Sequence, residues 1–389
     1  MDAIELFAGI GGFRLAADKV GLNTIWANDN CSKASKIYRD RFGQDTFREG
    51  DIRGLVDSIP RHQILTAGFP CQPFSSAGKK QGIKDPRGTL FSVVVDVLRL
   101  QRPTYFVLEN VKRLLTMERG IHFATILASL AELDYRIEWR LFNAMDFGLP
   151  QNRQRVFITG VRRRETHSNG DRSHFENTIR LASLDDLSKS HVEAGAISSR
   201  ESWTEISRHG KKFPNWGLAE SGKFYAADIE HFSEQQPAVF LRSVLQDEVE
   251  PEFDFTESTI ERIKASKHVR RFVAGVEILS NQGGGARMGY TVFGIGGVAP
   301  TLTSTASRHY ERYQVGDRYR RLTNVEYARI QGFPDDHCSC VSVYDQYALY
   351  GNAVPPPMAE WVVRRAISKG VPVHSLPRRP TQRKLFADA

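Results

Sequence analysis

Apolar residues near the N-terminus gather into short runs separated by glycines and acids. Residues 4–7 (Ile-Glu-Leu-Phe) and 24–27 (Thr-Ile-Trp-Ala) each have the length and composition of a strand. The first runs into the tight turn Ala8-Gly9-Ile10-Gly11-Gly12, after which Phe13-Arg14-Leu15-Ala16-Ala17 opens a helix. The second ends on Asn28-Asp29, and a third short segment leads into Gly50-Asp51-Ile52. Residues 63–67 lean apolar and precede Gly68-Phe69-Pro70-Cys71-Gln72-Pro73-Phe74-Ser75, while residues 104–108 form a strand pattern ending in Glu109-Asn110-Val111. Phe123, Ile126, Leu127 and Leu130 recur at helical spacing and predict a core-facing helix over 123–133. Thr323 with Glu326 predicts a capping box on a second helix, which turns Tyr327 and Ile330 inward until Gly332 and Pro334 stop it. Short strands alternating with helices predict an α/β fold.

Between residues 165 and 310 this periodicity weakens. Ser, Gly and Arg become frequent, and Trp203, Trp216, Phe224, Tyr225 and Phe232 stand singly among charges. No internal repeat is present. A second, less regular unit is therefore predicted there, and the stretch Arg378-Arg379-Pro380-Thr381-Gln382-Arg383-Lys384 reads as a disordered basic tail.

Cys71 carries the sharpest chemical signal. Prolines at 70 and 73 fix φ and remove two backbone donors, so the segment is a stiff turn at a strand end that presents a thiol. The segment that follows holds Gly78, Gly82 and lysines 79, 80 and 84, and reads as a basic loop that hinges at its glycines and is drawn to phosphates. Glu109 lies at the carboxyl end of a strand, where open α/β sheets build their sites. The turn at 8–12 lets backbone amides approach a ligand, although its spacing is not the dinucleotide GxGxxG. Asp29, about twenty residues on, is placed to hold ribose hydroxyls. Asp51 occupies the equivalent place one segment later and suits an adenine edge. Three strand ends with suitable groups predict nucleoside binding.

Nine blocks then line up in one order: FAGIGG (7–12), Asp29, GDI (50–52), GFPCQPFS (68–75), DPRGTLF (85–91), ENV (109–111), QNRQR (151–155), RRLTNVEYARIQGFP (320–334) and YGNAV (350–354). In these the chain resembles the DNA cytosine-5 methyltransferases of bacterial restriction-modification systems, over almost its whole length. The resemblance implies a Rossmann-like S-adenosylmethionine-dependent catalytic domain with a smaller, irregular target-recognition domain. The expected bounds are 1–164 for the first part of the catalytic domain, 165–315 for recognition, 316–368 for the returning catalytic part and 369–389 for the tail. It implies Cys71 as nucleophile at cytosine C6, Glu109 as the acid that shares a proton with N3, and Arg153 and Arg155 holding the base carbonyl and the backbone of the flipped nucleotide.

For the cofactor, S-adenosylmethionine, the resemblance implies Phe7, Gly9, Ile10, Gly11, Gly12, Asp29, Asp51, Ile52, Pro70, Leu90, Asn352 and Val354. Many relatives have Glu where this chain has Asp29, and the shorter acid still reaches hydroxyls. For DNA it implies Ser75, Lys79, Arg87, Gln151, Arg287, Thr301 and Arg308, with the glycine-rich residues 282–287 approaching a groove. The expected partner is double-stranded DNA, with a cognate restriction endonuclease acting separately and the methyltransferase itself a monomer. An offshoot of the family that acts on tRNA carries a Cys-Phe-Thr tripeptide in its recognition region, which is absent here. A regulator that binds DNA without turnover would be expected to lack Cys71 or Glu109, and both are present.

Composition adds little and contradicts none of this. The formal charge of +8 favours a polyanionic partner, and 389 residues with 41% apolar content suffice for two domains and a large core. Four cysteines give neither a disulfide framework nor a four-ligand zinc set, so no metal is expected, and His337-Cys338 with Cys340 reads as a solvated loop. No apolar run approaches a membrane span, and a strand begins at once where a signal peptide would stand. A cytoplasmic protein associated with the bacterial nucleoid through DNA is expected.

Overall fold

The computed structural model describes residues 1–70, 90–163, 178–188, 190–196, 212–220, 223–281, 290–303, 311–368 and 371–372. Cys71, Ser75, Lys79, Arg87, Trp203, Arg287, Arg308 and the 378–384 stretch lie outside these residues. The first strands are β1 (Asp2–Leu6), β2 (Asn23–Asp29), β3 (Phe47–Glu49), β4 (Ile64–Gly68) and β5 (Tyr105–Val111). They pair in parallel in the order β3-β2-β1-β4-β5. Helices α1 (Gly12–Lys19), α2 (Ser32–Phe42) and α3 (Leu90–Gln101) follow β1, β2 and β4 respectively, the parallel-sheet arrangement that the alternating pattern predicts. The strand order reverses between β1 and β4, so a crevice opens at the carboxyl ends of these two strands.

Strand β5 runs through Glu109 instead of stopping before it. The extra length comes from antiparallel pairing with a later strand, β7 (Gln154–Arg162), in which Glu109 faces Phe157 and Val111 faces Arg155. Helix α4 (Ile121–Ala131) buries Phe123, Ile126, Leu127 and Leu130 as their spacing predicts. It is followed by β6 (Tyr135–Asn143) and β7 (Gln154–Arg162). The helix Asn324–Gln331 starts on a complete Thr323/Glu326 capping box and ends on Gly332 at φ 79°.

The boundary expected at residue 165 does not separate two sheets. After β8 (Thr178–Ile179), strands β9 (Glu193–Ala196), β10 (Trp216–Glu220) and β11 (Lys223–Ala227) extend the first sheet to ten strands in the order β3-β2-β1-β4-β5-β7-β6-β10-β11-β9. Their apolar side belongs to cores: Trp216, Phe224 and Phe232 are buried rather than scattered among surface charges. Buried polar residues tie the extension down. Glu138 accepts from the backbone N–H groups of Arg180 and Leu181 at 2.8 and 3.0 Å and from the Trp216 indole at 2.9 Å, while Arg140 pairs with Asp186 at 2.6 Å.

A separate five-stranded sheet begins only later, with β12 (Lys267–Val273), β13 (Val276–Asn281), β14 (Thr291–Phe293), β15 (Arg312–Val315) and β16 (Arg318–Arg320) in that order. It also runs past the expected end of the recognition unit at 315. Within the span expected to be tail, Val371–Pro372 forms β17, which pairs with β8. The helix Pro356–Ile367 returns the C-terminal part to the first sheet and shares a core with Phe13, Ala16 and Ala17 of α1. Among the described residues, no helix is long and apolar enough to cross a membrane.

Candidate active site

A cavity of about 650 Å³ opens at the carboxyl ends of β1, β2, β4 and β5, in the size range of small-molecule sites. The turn after β1 forms its floor. Phe7 and Gly9 have φ 54° and Gly11 has φ 84°, left-handed values that glycine adopts freely and that strain Phe7. At Gly12 the constraint is space, since a Cβ there would lie 2.2 Å from the Val354 carbonyl oxygen. A backbone oxygen cannot swing away, so glycine is what lets residues 351–354 close on the turn. Gly12→Ala is therefore expected to cost about 2 kcal/mol or more of stability, read by urea denaturation, and to weaken cofactor binding.

Asp29 at the end of β2 holds this turn open. Its carboxylate accepts from the Gly9 N–H and the Cys31 N–H, each at 2.8 Å. Burial raises its pKa against the pull of these N–H groups. Each oxygen keeps a lone pair for a ligand hydroxyl. Asn28 fixes the neighbouring wall by donating to the carbonyls of Arg48 and Gly50 at 2.8 and 3.0 Å. Asp51 caps the short turn Ile52–Gly54 through the Arg53 N–H at 3.0 Å and stands exposed at the cavity rim, while Ile52 is buried beneath it. Glu5, inside β1, also reaches the cavity. It accepts from the Tyr38 hydroxyl at 3.0 Å, and burial pushes its pKa up to about 8.

On the opposite side, β4 ends in Gly68-Phe69-Pro70, and the Asn110 amide donates to the Phe69 carbonyl at 2.8 Å. This bond fixes the backbone one residue before Pro70 and so the strand end that leads to Cys71. Glu109 faces the same space and is nearly buried. Its Oε1 accepts from Arg155 Nε at 2.9 Å. Burial raises the Glu109 pKa, opposed by the charges of Arg155 and Arg153, so the carboxyl holds its proton more readily than an exposed glutamate.

Most expected cofactor positions converge here. Phe7, Gly9, Ile10, Gly12, Asp29, Asp51, Ile52, Pro70, Leu90, Asn352 and Val354 all line the cavity, as do Glu109 and Arg155. Gly11 does not. It turns toward Phe42, whose ring lies 2.3 Å from where a Cβ would be. Residues that the sequence reading gave no role, Glu5, Asn28 and Asn110, also serve the site. The readable signals were an acid inside an apolar strand and amides adjoining strand ends.

Two expectations change. Gln151, expected at DNA, is fully buried: its side chain accepts from the Leu302 N–H at 3.1 Å and donates to Gln331 Oε1 at 3.1 Å. It is a joint between segments, with no surface to offer a groove. Arg153, expected at the base, is also buried and is absent from the cavity wall. Its guanidinium donates to the carbonyls of Leu302, Gly351 and Ala353 at 3.1, 3.0 and 2.9 Å. Burial and the like charge of Arg155 lower its pKa to about 9, so it stays protonated at neutral pH. Thr301 donates to the Asn152 carbonyl at 2.5 Å, fixing this junction from the other side.

Arg153→Met should leave three buried carbonyls unpaired and cost about 3 kcal/mol or more in urea denaturation. A contact to substrate alone would lower kcat and leave stability unchanged.

A family model described as C-5 cytosine-specific DNA methylase matches residues 1–368. Type II methyltransferase M1.ScrFI of Lactococcus lactis subsp. cremoris is 32% identical over 94% of this chain and 77% of that protein. Type II methyltransferase M.HhaI of Haemophilus parahaemolyticus is 27% identical over 90% of this chain and 89% of that protein. Type II methyltransferase M.NgoBI of Neisseria gonorrhoeae is 46% identical, but over 40% of this chain and 49% of that protein. A solved mutant of DNMT2 from Spodoptera frugiperda superposes with TM-score 0.62 at 17% identity, covering 94% of this chain and 99% of that one. At that identity the likeness concerns the fold alone.

Proposed function

We propose, because the chain belongs to the C-5 cytosine-specific DNA methylases, that it transfers a methyl group from S-adenosylmethionine to C5 of a cytosine in one short double-stranded DNA sequence. The observation that carries this reading is the Glu109–Arg155 pair, which opens on the same cavity as the glycine turn and stands beside the strand end leading to Cys71.

The cavity residues fit the cofactor. The Gly9–Gly12 turn makes a cradle that a Cβ at Gly12 would fill, Asp29 has lone pairs for ribose hydroxyls, and Asp51 stands at the rim for an adenine edge. When bound, S-adenosylmethionine supplies an electrophilic methyl on a sulfonium. The protein's part lies with the base. C5 and C6 are hidden inside a duplex, so the target nucleotide is flipped out of the stack. The Cys71 thiolate adds to C6, and Glu109 shares its proton with N3 as negative charge reaches the ring. Arg155 holds Glu109 in place and orients it toward the base. C5, now nucleophilic, would accept the methyl group as its bond to the sulfonium breaks and S-adenosylhomocysteine is left; loss of the C5 proton to water then expels Cys71 as a thiolate, and N3 returns its proton to Glu109. Arg153 serves the same site at one remove, by fixing residues 302, 351 and 353.

The names of the relatives, Type II methyltransferases, support a role in protecting DNA from a cognate restriction endonuclease. A single site acting on one flipped base fits a monomer, with DNA in the cytoplasm as its substrate. Bisulfite sequencing of plasmid DNA from cells expressing the protein tests the function. Protected cytosines at one recurring short sequence are expected; none, from a folded protein that binds S-adenosylhomocysteine, would move the substrate to RNA.

A further inference from the structure

His337 lies 327 residues from the glycine turn in sequence and touches it in space. Its imidazole is 1% exposed, and Nε2 stands 2.7 Å from the carbonyl oxygen of Ile10. A carbonyl only accepts, so Nε2 carries the hydrogen and donates it. Ile10 sits at the centre of the turn, between Gly9 and Gly11 with their left-handed φ values, and lines the cavity. Left-handed glycines are the places where a backbone moves most easily, and Ile10 has one on each side.

The histidine is itself firmly held. The Phe333 ring packs 4.7 Å away and the Phe42 ring 6.1 Å away, centroid to centroid. Arg41 of α2 donates to the His337 carbonyl at 3.0 Å and pairs with Asp336 at 3.0 Å. Cys338 beside it is fully buried. The solvated loop expected at 337–340 is thus buried at its first two residues, with His337 against the back of the turn. His337 is outside the cavity lining, so any effect on a ligand is indirect, and its hydrogen bond to Ile10 is the direct link to the turn.

We propose that His337 is a positioning residue for cofactor binding, setting the Gly9–Gly11 turn by its hydrogen bond to the Ile10 carbonyl so that the backbone at Ile10, where it lines the cavity, is in place before the ligand arrives. This rests on the reading of the cavity as the S-adenosylmethionine site. Burial lowers the His337 pKa, which agrees with a neutral ring donating from Nε2.

Calorimetric titration with S-adenosylhomocysteine tests it on the full chain, comparing wild type, His337→Phe and His337→Gln. Phenylalanine keeps the ring volume and loses the donor, while glutamine keeps an N–H donor at similar reach. His337→Phe is expected to raise the Kd about tenfold and the cofactor KM with it, and to leave the DNA Kd and the kcat at saturating cofactor within about twofold. His337→Gln is expected to restore most of the affinity. Wild-type affinity in His337→Phe overturns the inference. So does an equal loss in both variants accompanied by the same fall in melting temperature, which marks packing alone. Failure of the wild type to bind S-adenosylhomocysteine overturns the cofactor reading itself, separately from the role of His337.

Discussion

Cys71→Ser is expected to abolish methyl transfer, by at least about 10³-fold in kcat, with S-adenosylhomocysteine affinity kept within about twofold. The reason is chemical. Cytosine C5 is a poor nucleophile until a group adds at C6, and a thiolate does this because thiols ionise within reach of neutral pH whereas a serine hydroxyl does not. The cavity proposed for the cofactor is built by β1, β2, β4 and β5 and their loops, so it should survive the change. A filter assay with labelled cofactor reads the first quantity and calorimetry the second. Turnover near the wild-type rate in the serine variant would remove covalent addition by this residue from the mechanism.

Glu109→Gln should cost about 10² to 10⁴ in kcat, because an amide can hydrogen-bond N3 but has no proton to transfer. Cofactor affinity should change much less. The pH dependence has a definite sign. Burial raises the Glu109 pKa above its ordinary value of 4.5, so the native state binds a proton that the unfolded chain has already released. The corresponding stability is fully present below about 4.5 and is lost as pH rises through the raised value. Activity through this group falls over the same rise, because the protonated form is the one that acts. The Cys71 thiolate requires the opposite trend, so kcat/KM for DNA should be bell-shaped, and its alkaline limb should disappear in Glu109→Gln. An unchanged alkaline limb in that variant would assign the limb to another group.

Short motifs at strand ends were legible in the sequence because they are local. A strand, a glycine turn and an acid one strand later place Gly9 and Asp29 2.8 Å apart with no knowledge of the rest of the chain. Glu109 was readable for the same reason, although pairing of β5 with β7 carries the strand past it. What stayed hidden depends on distant partners. Arg153 and Gln151 look like substrate-binding groups in a motif rich in polar side chains, yet their partners are backbone groups near residues 302 and 351 and the side chain of Gln331. The strands at 178–227 read as irregular because they are short and their anchors are polar: Glu138 and Arg140 are buried and satisfied by residues more than forty positions away. His337 read as surface because a histidine between an acid and a cysteine carries no apolar period, and only the fold reveals Phe333, Phe42 and Ile10 around it.

Covalent addition of Cys71 to the target base is the claim on which the rest depends, and DNA made with 5-fluorocytosine tests it most directly. After methyl transfer such a base carries fluorine where a removable proton would be, so the Cys71–C6 bond cannot be released by proton loss from C5. The expected result is a protein–DNA adduct that survives denaturation, forms only with S-adenosylmethionine present, and maps by peptide mass to Cys71. Methylation of ordinary DNA by the same preparation with no adduct on the fluorinated DNA, or an adduct on another residue, would contradict it.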